Sequence, residues 1–179
     1  MRGLLQWCVL VGCGLGLTAC QPKESAPPAP PPTNSVTLHL PHALPRLPTV
    51  RLWLGATEVE AEVCLTVPQV ATGLMFRERI GPNEAMLFVF RRPDQRAFYM
   101  RNVKFPIAAA YINGEGVIEE IVQLRAGDET SVPSKSANIQ FVLETAPDFF
   151  ERHGLKPGTA VTTAQGRLRE TLAAKSQVW

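Results

Sequence analysis

The chain has 179 residues, a length that suits one domain with an appendage. Its hydrophobic content of 45% is that of an ordinary globular protein, and many of its 16 prolines lie in one segment near the start. The net charge is only +2, and the basic residues are scattered and form no stripe, which excludes an electrostatic case for nucleic-acid binding.

The first 20 residues carry the features of an export signal. Arg2 gives a positive start, and residues 3–17 form an apolar run that is too short for a membrane span, which needs roughly 20 residues. The run ends in LTAC, residues 17–20, which resembles the bacterial lipobox, where a cysteine thiol takes up diacylglycerol before cleavage. We therefore predict a lipoprotein signal peptide over residues 1–19 and lipid modification of Cys20. The alternatives are an ordinary signal peptide with an accidental cysteine and an uncleaved anchor helix.

The lipid on Cys20 would attach the mature chain to a membrane. Gln21 stands where an aspartate favours inner-membrane retention in Gram-negative lipoproteins, so we expect the periplasmic face of the outer membrane. Residues 20–35 are rich in proline, which favours an extended tether. Only Cys64 lies in the body of the chain, so an intrachain disulfide is not expected.

Sequence periodicity predicts a mainly β domain over residues 36–163 and a C-terminal tail over residues 164–179. The predicted strands cover residues 49–54, 58–65, 85–90, 97–103, 107–112, 117–124 and 138–144. Apolar residues at helical spacing predict one main helix over about 67–79, capped by Thr66. A short C-terminal helix is predicted in the tail. These elements indicate a β-sandwich or a small barrel.

The sequence contains few patterns typical of catalysis or metal binding. It lacks G-x-S-x-G, a glycine-rich phosphate loop and H-E-x-x-H. His39 and His42 form H-x-x-H, but Pro41 disrupts helical spacing, so we predict no metal site and no cofactor. Cys64 and His153 could be a nucleophile and its base, but a plain strand cysteine is favoured because acidic neighbours raise a thiol pKa.

The segment from Gly73 to Ile107 holds all three methionines of the mature chain among several aromatic residues. Their spacing favours packing in the core, and an adaptable apolar groove with polar fixing points is the alternative. Arg77 and Asn102 are such polar residues. Alternation along a strand would place Asn102 on the same face as Met100, so we predict that Asn102 is a partly buried amide.

Several blocks of this sequence resemble the domain of unknown function 192 family. The matching blocks are G-L-M-x-R at 73–77, M-L-F-x-F at 86–90, F-x-M-x-N at 98–102, and S-x-x-A followed by V-L-E within 134–144. The resemblance covers about residues 49–163. It implies a β-sandwich or jelly-roll-like fold with one notable helix, and it implies no established activity. Ala108 and Thr159 stand where the family pattern has aspartates, which weakens the case for catalysis.

No complete catalytic set is present, so we favour a lipid-anchored binding or accessory module of the cell envelope over an enzyme. Its partner would be a small molecule, a glycan or another envelope protein. We predict Arg77, Asn102 and Glu144 as polar contacts and Tyr99 and Met100 as an apolar wall. An Arg77–Glu144 ion pair that holds helix to sheet is an equal alternative. An envelope hydrolase acting on a saccharide or ester, and a purely structural lipoprotein, also stay open.

Overall fold

Ten strands and three α-helices make up the part of the chain that the computed structural model describes, residues 38–179. The strands are β1 (Thr49–Leu54), β2 (Thr57–Cys64), β3 (Glu84–Asp94), β4 (Ala97–Phe98), β5 (Ile107–Asn113), β6 (Ile118–Leu124), β7 (Val132–Pro133), β8 (Ile139–Thr145), β9 (Val161–Thr163) and β10 (Gly166–Arg167). The helices are α1 (Val67–Thr72), α2 (Phe149–Arg152) and α3 (Leu168–Thr171), followed by a 3₁₀ turn (Ala173–Lys175). The prediction of a mainly β chain with a short C-terminal helix is confirmed. The predicted signal peptide, the tether and Cys20 lie outside the described residues.

Eight strands form one mixed sheet in the order β10-β9-β1-β2-β3-β8-β5-β6. The strands β2 and β3 are parallel, because α1 and the loop after it carry the chain back along the sheet between them. The other pairs in the sheet are antiparallel. The sheet curves so that Val117, just before β6, bridges Ala160, just before β9. Within residues 38–179 it does not close into a barrel.

The remaining strands, β4 and β7, form a small sheet that packs on one face of the large one. The Phe98 ring of β4 meets the Phe88 ring of β3 edge to face, with 5.0 Å between centroids. The Tyr111 hydroxyl of β5 donates to the Val132 carbonyl of β7 at 2.6 Å. The described chain therefore has two β layers over part of its area.

Two apolar cores lie on opposite faces of the large sheet. The first includes Leu52, Leu54, Leu87, Leu143 and Phe149. The second, here called the methionine core, includes Met75, Met86, Phe88, Phe90, Met100 and Tyr111. The central strand β8 is buried along its whole length, because successive side chains point alternately into the two cores.

The main helix is shorter than predicted, since it covers Val67–Thr72 and not 67–79. It begins as expected, with Thr66 accepting from the Gln69 N–H and the Gln69 side chain accepting from the Thr66 N–H. It ends because Gly73 has a φ of 49° and a ψ of -127°, which cannot continue a helix. The apolar residues that follow still reach the methionine core, but they do so from a turn.

The C-terminal tail, residues 164–179, packs on the large sheet. The strand β10 extends the sheet beside β9, and Leu168 and Leu172 are buried in the first core. At the end of the tail, the Arg91 N–H of β3 donates to the Val178 carbonyl at 2.7 Å. No helix within the described residues is long and apolar enough to cross a membrane.

Candidate functional site

A pocket of about 300 Å³ opens beside the methionine core. Its walls come from the end of α1 and the turn after it, from β3, and from residues 95–103, which include β4. The lining side chains are mainly apolar and include Leu74, Met75, Phe88, Phe90, Phe98, Tyr99 and Met100. This volume and lining correspond to a site for a small molecule at the lower end of the usual size range.

Glu144 is the buried acid of this pocket. It lies in β8 between Met86 of β3 and Ala109 of β5, its neighbours in register. Both neighbours are fully buried and the Glu144 residue is only 5% exposed, so its carboxyl group is largely shielded from bulk water. Within residues 38–179 no hydrogen bond or ion pair reaches this carboxyl, and burial alone raises the pKa of Glu144 to about 8. The group is therefore mostly protonated at pH 7.

Aromatic rings and thioethers line the pocket together with this acid. Tyr99 lies at the mouth with 37% of its surface exposed, whereas Met100 lies deeper and is 1% exposed. Such side chains offer dispersion contacts to a guest, and the faces of aromatic rings attract cations. The two residues predicted as an apolar wall therefore both line the pocket, together with Glu144.

Arg96 also lines the pocket, although no sequence pattern predicted it as a site residue. Its guanidinium lies 3.9 Å from the centroid of the Phe90 ring and donates to the carbonyls of Arg92 at 2.6 Å and Trp179 at 3.0 Å. Burial lowers the pKa of Arg96, yet a guanidinium stays charged in proteins. Its position after the aromatic run of β3 is the sequence feature that could have indicated a stacked arginine.

Arg77 pairs with Glu62 of β2, so the predicted Arg77–Glu144 ion pair is wrong. Two hydrogen bonds of 2.6 and 2.7 Å join the Arg77 guanidinium to the Glu62 carboxylate. Glu62 also accepts from Arg46 at 2.9 Å and from the Leu47 N–H at 2.8 Å. Burial acts to raise the pKa of Glu62, but these hydrogen bonds and the charge of Arg77 outweigh it and lower the pKa to about 2. Arg77 thus ties the turn after α1 to β2 and lies outside the pocket lining.

Asn102 is exposed, so the prediction of a partly buried amide is wrong. The predicted strand over 97–103 ends at Phe98, and Asn102 lies in a turn with a φ of 57°, a conformation that asparagine tolerates. Its carbonyl accepts from the Phe76 N–H at 2.9 Å, and Phe76 has a φ of 63°. Among the described residues these two are the only non-glycine residues with positive φ. The hydrogen bond between them links the two segments that form the pocket walls.

One protein family matches this chain. The family model for domain of unknown function 192 (DUF192), described as "Uncharacterized ACR", matches residues 51–163, more than half of the chain. The chain belongs to the DUF192 family. The resemblance predicted from the sequence blocks is confirmed, and the family description gives no activity.

Two solved structures are similar to this DUF192 chain. A protein of unknown function from Novosphingobium aromaticivorans DSM 12444 is 29% identical with a TM-score of 0.60, over 77% of this chain and 94% of that one. A proposed transcription regulator from Sinorhizobium meliloti 1021 is 26% identical with a TM-score of 0.59, over 65% of this chain and 92% of that one. No curated protein matches the chain. These neighbours establish the fold and no activity.

The two positions at which the family pattern has an aspartate and this DUF192 domain does not lie outside the pocket lining. Ala108 is fully buried on β5 in the first core, on the other face of the sheet from Glu144. Thr159 lies in the turn before β9, where its Oγ1 accepts from the Lys156 N–H at 3.4 Å. The two missing carboxylates therefore leave the acid of the pocket in place.

The lining restricts the chemistry of this DUF192 pocket. Glu144 is the only carboxylic acid among the lining residues, and Arg96 is the only basic one. Two acids that share a proton, as in many hydrolases, are therefore not present on the lining. No three His, Cys, Asp or Glu side chains within residues 38–179 are grouped closely enough to hold a metal ion. A single buried carboxyl beside aromatic rings is suited to holding the polar group of an otherwise apolar guest.

Proposed function

We propose that this DUF192 protein is a lipid-anchored protein of the cell envelope that binds a small ligand in the Glu144 pocket. One observation carries the binding proposal. Glu144 as a residue is 5% exposed, it lines a cavity of about 300 Å³, and its carboxyl has no hydrogen-bond partner among the described residues. A ligand with a polar group at that point would supply the partner that the domain itself lacks.

The energetic cost of this acid favours binding over a purely structural role. A buried, unpaired ionisable group destabilises a fold, and an apolar side chain of similar size would avoid the cost. Strongly shifted groups in a cleft are concentrated at functional sites for this reason. A hydrolase is less well supported, because the lining offers no second carboxylic acid to act with Glu144.

The envelope location is supported by the sequence before the domain. The LTAC motif predicts a diacylglycerol group on Cys20, and the proline-rich residues 20–35 would form a spacer of about 50 Å at roughly 3.1 Å per residue. We propose the periplasmic face of the outer membrane because Gln21 follows the cysteine. Mass spectrometry of the mature N-terminus should find a diacylglycerol-bearing Cys20, and the Cys20→Ser variant should lose it. An unmodified mature N-terminus in the wild type would contradict the anchor.

Ligand binding can be tested by thermal shift on the full chain in phosphatidylcholine nanodiscs. A panel of small apolar molecules with different polar groups should include compounds that raise the melting temperature by about 3 °C at ten times their dissociation constant. The Ala97→Trp variant, which fills the pocket from its rim, should lose this shift. Ala56→Trp, at an exposed position in the β1–β2 turn, is the matched control and should keep it. Shifts that survive Ala97→Trp would contradict binding in this pocket.

A further inference from the structure

We infer that the ligand of this pocket is an organic cation, a primary ammonium group on an apolar body, with the ammonium against the Glu144 carboxylate. The inference rests on the proposed function, because it names the class of ligand that the same pocket takes. It is carried by the charge of the lining, by the aromatic wall and by the absence of an internal partner for Glu144 among the described residues.

The described groups around Glu144 do not compensate the negative charge that its carboxyl carries when it is ionised. Cys64 of β2 and Tyr111 of β5 lie on the same face of the sheet, and burial raises the pKa of both side chains, so both are neutral at pH 7. Arg96 is the only cation on the lining, and its guanidinium is held by backbone carbonyls and by the Phe90 ring. Tyr99 at the mouth carries no positive charge. A guest cation is therefore the group that complements this lining.

The rest of the lining fits the apolar body of such a guest. The rings of Phe88, Phe98 and Tyr99 line the same pocket as the acid. An ammonium close to aromatic faces gains cation–π attraction, and the gain is larger when the group is removed from water. An anionic guest would gain no cation–π attraction from these rings, and its charge would oppose the ionisation of Glu144. The small volume, about 300 Å³, limits the body to about one ring or a short alkyl chain.

Binding of a cation is coupled to the loss of a proton from Glu144. The free carboxyl is mostly protonated at pH 7, because burial raises its pKa to about 8. An ammonium stabilises the carboxylate, so the proton leaves to solvent when the guest binds. The affinity should therefore rise about 50-fold between pH 6 and pH 8, where an alkylammonium stays charged.

The test is calorimetry with three matched probes on the full chain in phosphatidylcholine nanodiscs, with empty nanodiscs as the blank. The probes are 2-phenylethylamine, 2-phenylethanol and 3-phenylpropionate, which share a ring and differ in charge. We expect the amine to bind most tightly at pH 8, to bind about 50-fold more weakly at pH 6, and to release a proton at pH 7. Glu144→Gln should weaken binding of the amine at least about 30-fold and change binding of the alcohol by less than about threefold.

The outcomes separate the ligand class from the proposed function. The assignment of the ligand as a cation is overturned if the alcohol or the acid binds more tightly than the amine, or if the amine affinity does not change from pH 6 to pH 8. Either result leaves the binding pocket in place. Binding of the amine that survives Ala97→Trp, or no binding of any probe, overturns the pocket itself. The pH series uses the wild-type chain alone, so the inference stays testable even if Glu144→Gln fails to fold.

Discussion

A buried acid with a raised pKa makes a fold less stable as the pH rises, and Glu144→Gln should remove this effect. The ordinary pKa of the side chain is 4.5, and burial raises it to about 8 in the folded chain. Below pH 4.5 the carboxyl is protonated in both states and contributes no pH dependence. Between pH 4.5 and pH 8 the folded chain binds more protons than the unfolded chain, so the free energy of unfolding decreases as the pH rises.

The size of the effect follows from the two pKa values. One pH unit corresponds to about 1.4 kcal/mol, so the shift from 4.5 to about 8 costs the wild type about 3 kcal/mol at pH 7 and about 5 kcal/mol above pH 8. Glutamine has nearly the same shape and carries no charge. Glu144→Gln should therefore match the wild type to within about 1 kcal/mol at pH 5 and exceed its free energy of unfolding by about 3 kcal/mol at pH 7.

Urea denaturation of the full chain in nanodiscs, followed by tryptophan fluorescence at pH 5, 6, 7 and 8, measures this difference. Glu60→Gln is the matched control, because Glu60 is an exposed acid of β2 and the substitution is chemically the same. Glu62 does not interfere, since its pKa of about 2 keeps it ionised in the folded chain throughout this range. A constant difference between Glu144→Gln and the wild type from pH 5 to pH 8 would contradict a raised pKa of Glu144 in the folded chain.

Three other features of the fold give measurable expectations. Arg77→Met should lower the free energy of unfolding by about 3–5 kcal/mol at pH 7, because the buried Glu62 carboxylate loses its main partner. Urea denaturation measures this change, and a loss below about 1 kcal/mol would contradict the pairing. The Cys64 thiol is fully buried and its pKa is raised, so an aromatic disulfide reagent should react with it only as fast as the chain unfolds. Reaction at the rate of a free thiol would disprove its burial. Asn102→Val should lower the free energy of unfolding, measured by urea denaturation, by about 1–2 kcal/mol, because a φ of 57° disfavours a β-branched residue. Asn102→Gly should lower it much less, and equal stability of the two variants would contradict that strain.

The sequence predicted the strands well because their periodicity is local. The alternation in 49–54 and 58–65 depends only on which side of a hairpin is buried, and both strands formed close to the predicted bounds. The helix predicted over 67–79 ends before Gly73, because apolar spacing continues past the point where the backbone turns. The strand over 97–103 failed because the chain turns after Phe98, a change that alternation does not encode.

The candidate site was only partly predictable for a related reason. Tyr99, Met100 and Glu144 were predicted, and all three line the pocket. The partner of Arg77 depends on which strand lies beside the turn after α1, and the parallel pairing of β2 with β3 decides this. The parallel pairing of β2 with β3 is a feature of the tertiary structure, which local sequence patterns do not encode. The burial of Glu144 likewise requires strands from distant parts of the sequence on both of its sides.

The places where the chain departs from local preference lie together around the pocket. Gly73 lines the pocket, and a Cβ at this position would lie 3.1 Å from the Phe88 ring, so the close approach of the turn to β3 requires glycine. The strained residues Phe76 and Asn102 hold each other by a backbone hydrogen bond of 2.9 Å across the pocket walls. Glu144 adds an acid in an otherwise apolar core. Local rules are broken mainly where function requires it, so the coincidence of these departures at one cavity supports a binding site and not a defect in packing.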